Sequence, residues 1–178
     1  MGRARDQPAE PNGASEDATL AAVDAWLAAH RSERTPLSRA LDAVFDARPD
    51  RRPTRVVLEL AARSPARPRP RSVVAAATAV DLLHARTLVR WRGLPARAPD
   101  STAAVLVGDY LHSLAFEALV EPDDGVSASL LDAVTAGVTD LYAAEAADAD
   151  DNCVPRAATR RVFALADAAV DALAGDPI

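Results

Sequence analysis

Arginine is the residue type here with the most chemical reach. Arg86 and Arg90 stand four apart, so on a helix their guanidinium groups share one face. Arg92, Arg97, Arg52 and Arg55 would lie near enough to complete a metal-free anion site built from guanidinium forks. The competing reading is a solvated basic face of surface ion pairs, because all 20 basic residues are Arg and none is Lys. Residues 47–71 hold eight arginines against Asp50 and Glu59, a local +6 in a chain whose net charge is −6. Such a patch can meet nucleic acid. It has no interleaved aromatics for stacking on bases, however, and the rest of the chain carries −12, so an acidic protein partner fits better and no nucleic acid is expected.

The other candidates are weaker. Asp148-Ala149-Asp150-Asp151-Asn152 begins like a calcium loop, but Cys153 stands where Gly is needed for the turn and Thr159 where Glu supplies the bidentate ligand. His30, His84 and His112 show no metal-ligand spacing, and Asp81 and His84, three apart, read as a hydrogen-bonded core pair. Cys153 precedes a predicted helix, which lowers a thiol pKa, yet nothing near it in sequence suggests a base. Asp109 stands in an apolar helix, where burial would demand an Arg or backbone partner.

The elements that position these residues are helical. With 42 Ala, abundant Leu and Arg, and few aromatic or β-branched residues, the chain reads as all-α. Ser15 caps a helix to Arg31, and Thr35-Pro36 opens one to about Ala47. A shorter helix runs from Pro53 to Arg63, and the prolines of Ser64 to Arg71 force a loop. Further helices are expected at Arg71–Arg90, Ser101–Val120 with Val105, Leu106, Leu111, Leu114, Ala115 and Leu119 inward, Val126–Ala147 and Pro155–Ala174. The organisation expected is a disordered tail over 1–15 and a single helical domain over 16–176. At 178 residues a domain can bury a core without staples, and one Cys cannot form an internal disulfide. The charged start and the lack of an uninterrupted apolar run of membrane-spanning length give the expectation of a cytoplasmic protein with no membrane span. The excess of 19 Asp over 7 Glu, with Arg as sole cation, is the composition of a GC-rich, halophile-like host.

Three stretches together resemble the head-to-tail (trans) isoprenyl diphosphate synthases. Gly108-Asp109-Tyr110-Leu111, with Ala115, Phe116 and Leu119 following, is similar to that family's GDYL…AFE segment. Ala79-Val80-Asp81-Leu82-Leu83-His84, running on to Thr87-Leu88-Val89, is similar to its helix ending in LLH…LI. Arg52-Pro53 ahead of Val56-Val57-Leu58-Glu59-Leu60-Ala61 resembles the RP that opens an early family helix. Order and approximate spacing agree across residues 52–120. The resemblance implies a truncated isoprenoid-synthase-like bundle of about seven helices, in which Asp81, His84, Gly108, Asp109 and Tyr110 are structural.

The family's catalytic apparatus is two DDxxD motifs whose carboxylates hold magnesium against the departing diphosphate. This chain has neither. After Leu88-Val89, where the family reads HDD…D, stand Arg90, Trp91 and Arg92, and then Gly93-Leu94-Pro95, which resembles the family's downstream RRGxP. Asp123-Asp124 and Asp150-Asp151 are followed four residues on by Ser127 and Val154, so neither completes the pattern. Of the early GKRxRP, only Arg52-Pro53 stays in register, and the chain is expected to stop short of the later helices with the second motif. Loss of a single electrostatic donor costs about 10²–10³ in rate, so losing both metal sites abolishes the family reaction. Three readings follow. The first is a non-catalytic synthase-like partner or regulator in isoprenoid biosynthesis, without cofactor, pairing with itself as a homodimer or with a full-length prenyl synthase. The second is a residual prenyltransferase needing Mg, or a metal-free prenyl-diphosphate binder that uses Arg52, Arg55, Arg86, Arg90 and Arg92. The third is an unrelated Ala-rich helical adaptor.

Overall fold

Good helix formers between proline and glycine breaks leave the backbone one economical way to satisfy its hydrogen bonds. The computed structural model, which describes residues 13–31, 37–46, 51–92, 101–120, 127–147 and 156–175, accordingly shows seven α-helices and no strand among the described residues. They are α1 (Gly13–Arg31), α2 (Ser38–Asp46), α3 (Arg52–Arg63), α4 (Pro70–Arg92), α5 (Ser101–Val120), α6 (Ala128–Ala147) and α7 (Arg156–Gly175). The ends follow local chemistry. Pro53 sits in the first turn of α3, where no N–H is missed, and Ser64, ahead of Pro65, leaves the helix with an extended ψ of 126°. Ser127 caps α6, its Oγ accepting the Leu130 N–H at 2.9 Å, a start signal the sequence carried but the reading from Val126 passed over. Most of the expected tail at 1–15, the Thr35-Pro36 cap, Asp123-Asp124, the Asp148–Asn152 loop and Cys153 lie outside the described residues.

Helix α4 is the axis of the bundle and touches α1, α2, α3, α5 and α7. Its residues 75–77, 79–83 and 85 are all buried, so the helix is covered around nearly its whole circumference. That is possible because Ala75, Ala76, Ala77, Ala79 and Ala85 let neighbours come close, while Leu82 and Leu83, fully buried, each contribute about 2 kcal/mol of apolar transfer. Helices α6 and α7 form a second close pair. A methyl group on Gly137 of α6 would fall 2.5 Å from Cδ1 of the core residue Leu165 on α7, so any larger residue here would have to displace that side chain.

Helix α5 departs from expectation. Val107, Leu111, Leu114 and Ala118 fall within about 60° of one another and face the core, which puts Leu106 about 100° and Val105 about 160° away from that stripe. Both are in fact exposed, at 50% and 57%, as is Val120. By length and composition two helices, Pro70–Arg90 and Thr102–Val120, are apolar enough to cross a membrane, a property the uninterrupted-run criterion does not flag. The two differ in cover: 72% of the α4 window lies inside the bundle but only 33% of the α5 window. Protein packing accounts for the apolarity of α4 and leaves that of α5 largely on the surface.

Candidate functional site

Two charged residues in the middle of apolar α4 face different ways. Asp81 and Arg86 are five residues apart, about 140° around the axis at roughly 100° per residue. Asp81 is fully buried toward α3, where Arg51, the residue that precedes the helix, donates from Nη2 to Oδ2 at 3.2 Å. The same guanidinium also holds Asp24 on α1, so one cation ties three helices together. Thr54 and Thr78, buried on α3 and α4, add polar surface to these helices.

Arg86 points the other way, toward α6. Its Nη1 donates to Glu145 Oε1 at 2.6 Å, and both side chains are nearly covered, at 13% and 8% exposed. The guanidinium carbon lies 4.1 Å from the centroid of the Tyr142 ring, a cation–π contact. The Tyr142 hydroxyl is 2.6 Å from Nδ1 of His112 on α5, and the His112 ring packs 5.1 Å from Phe116. Burial holds His112 below the usual histidine range, and the Arg86 cation pushes the same way against Asp109. Burial likewise raises Tyr142 above the usual phenol value. A protonated phenol beside a neutral imidazole donates to bare Nδ1, so α4, α5 and α6 are joined by one polar chain.

That chain changes what the arginines can do. Glu145 already neutralises Arg86, so the residue cannot offer a full charge to a diphosphate. Arg52 and Arg55 are exposed on α3, Arg90 is exposed near the end of α4, and the Arg92 side chain lies outside the described residues. Of the described members of the expected cluster, Arg86 alone is set inward, and its guanidinium is already paired with Glu145. At Arg86 and Gly108 the two helices α4 and α5 lie close: a methyl on Gly108 would meet Arg86 Cγ at 3.8 Å, ordinary contact, and on α5 Leu111, Leu114 and Ala115 are buried. Asp109 itself is exposed and needs no buried partner, which corrects the expectation for it; Tyr110 packs against the core. Asp81 is buried as expected, and a charge partner reaches it from the start of α3; His84, three residues on, is half-buried.

Sequence reasoning missed Glu145, Tyr142 and Arg51 as partners. A signal for Glu145 existed. Val134, Val138, Leu141 and Glu145 lie within about 60° on one helix face, so the acid continues a buried stripe and must find a cation. Among the described residues, no three His, Cys, Asp or Glu side chains converge as a metal site would need. Set against family models, curated proteins and solved structures, the chain finds no match.

Proposed function

We propose that this chain is a non-catalytic, isoprenyl diphosphate synthase-like protein that acts as an assembly partner or regulator in isoprenoid metabolism, as a homodimer or with a full-length prenyl synthase. The observation that carries the reading is the Arg86–Glu145 pair. A diphosphate departing from an allylic carbon develops two or more negative charges, and a protein lacking the metal-holding acids must meet them with free cations. Of the arginines in the candidate cluster whose side chains are described, the one set inward, Arg86, is engaged by an acid and covered by a ring. The rival reading, a metal-free prenyl-diphosphate binder, loses its central residue for the same reason.

The surface suits a protein that works by contact. Val105, Leu106 and Val120 on α5, with Tyr142 on α6, are the large apolar side chains left exposed among the described residues. Scattered apolar residues are ordinary, but three on one helix whose window is only 33% buried offer a face for a second helix-rich protein.

Two measurements test the proposal. Purified protein incubated with isopentenyl and allylic diphosphates plus magnesium is expected to give no elongated product; turnover overturns the reading and favours the residual enzyme. Mixed with a full-length prenyl synthase, it is expected to co-elute and to change that enzyme's rate or product length. Failure to associate with any synthase, together with failure to self-associate, transfers the case to the unrelated adaptor.

A further inference from the structure

We infer that the outer face of α3 and the turn leading into α4 form a docking surface for an acidic polypeptide segment of a partner protein, a conclusion independent of any relation to the synthases. Residues 52–71 contain six arginines and a single acid, Glu59. On α3, Arg52, Arg55 and Arg63 line up with Glu59 within about 80° of arc, opposite the buried stripe of Thr54, Val57, Leu58 and Ala61. All three arginines are exposed, Arg63 pairing with Glu59 at 3.3 Å, and Arg67, Arg69 and Arg71 continue the exposed charge through the turn.

The turn is stiffened rather than slack. Pro65, Pro68 and Pro70 restrict the backbone, and Arg67 N–H closes onto Ser64 O at 3.3 Å. Arg67 stands at φ 49°, a region that glycine occupies without strain and other residues enter at a cost. A glycine would serve the backbone better there; what the arginine adds is an exposed cation on a restrained backbone. A backbone restrained in this way loses little freedom on binding.

The chemistry selects the occupant. No aromatic residue occurs between 52 and 71, so unstacked bases find no platform. A long nucleic acid or an anionic bilayer would also extend over the rest of a molecule whose net charge is −6 and meet repulsion there. A short acidic segment stays within about one Debye length, roughly 8–10 Å, of the arginines and escapes it. Carboxylates also match guanidinium forks in bidentate geometry.

The test uses the full chain and a fluorescein-labelled poly-L-glutamate peptide, followed by anisotropy at low and at physiological ionic strength, beside a DNA oligonucleotide and phosphatidylserine vesicles. The peptide is expected to bind most tightly. Replacing Arg55, Arg67 and Arg69 together by Ser is expected to weaken it about tenfold. The charge-matched control, Arg39→Ser with Arg160→Ser and Arg161→Ser on α2 and α7, is expected to change it less than about twofold. If the first triple variant has lost helical circular dichroism, the single Arg69→Asp change is expected to show the same direction of effect. Tighter binding of DNA or vesicles, equal weakening by the control, or no peptide binding overturns the inference.

Discussion

On the α3 side of α4, the central helix supplies the acid, Asp81, and a cation reaches in from the start of the neighbouring helix; on the α6 side the central helix supplies the cation, Arg86, and the acid comes from outside. The first pair joins residues 30 apart, next to a tight helical hairpin, and shares its arginine with the exposed Asp24. The second joins residues 59 apart and is sealed by Tyr142 and His112. A core built so largely from Ala, Val and Leu has smooth surfaces that can slide or rotate past one another at little cost. A charge that must find one partner fixes both rotation and register. The local pair pins neighbours that the chain already keeps close. The distant pair seats α6, whose main packing is on α7, against α4 and α5.

The largest expected effect comes from breaking the distant pair. Arg86→Met leaves Glu145 buried without its cation and is expected to cost about 3–5 kcal/mol in urea unfolding, while Arg86→Met with Glu145→Leu recovers most of that loss. Arg51→Met is expected to cost less, about 2–3 kcal/mol, since Asp81 retains a further polar interaction. If the two single variants unfold at the same denaturant concentration, the contrast between the pairs is wrong. Gly137→Ala gains helix propensity but drives a methyl into Leu165; the expected net loss of about 1–2 kcal/mol, read as a lowered melting temperature, would also slacken the seat of Glu145.

The smallest effect sharpens the role of His112. Its folded pKa lies below the unfolded value of 6.5, so the unfolded chain binds the extra proton first as pH falls. Stability is thus expected to decline as pH drops through 6.5 toward the lower folded value, and to level off once both states are protonated. A His112→Gln variant should show a shallower decline on that acid limb than the parent protein; parallel limbs would place the titration elsewhere.

Much of this architecture is legible without coordinates because helices are local objects. Pro53 and Pro70 mark the starts of α3 and α4, and Leu41, Val44 and Phe45 repeat at helical spacing and are buried. The site was far less legible. Val105 and Leu106 are apolar yet exposed, since hydrophobicity alone does not say which residues of an all-apolar helix meet a neighbour. The arginine cluster was drawn from helical spacing and composition, which do not show that Glu145, 59 residues on, pairs with Arg86.

By itself the sequence determined that the chain is helical, roughly where the helices lie, that no DDxxD carboxylate pattern is present, and that charge is concentrated over residues 52–71. These follow from hydrogen bonding and side-chain periodicity within a few residues, or from counting. Only tertiary structure decided that Arg86 meets Glu145, that Asp81 meets Arg51, and that α5 leaves apolar side chains outside. Those outcomes depend on the rotation and approach of whole helices, which are set by the summed packing of residues far apart in the chain.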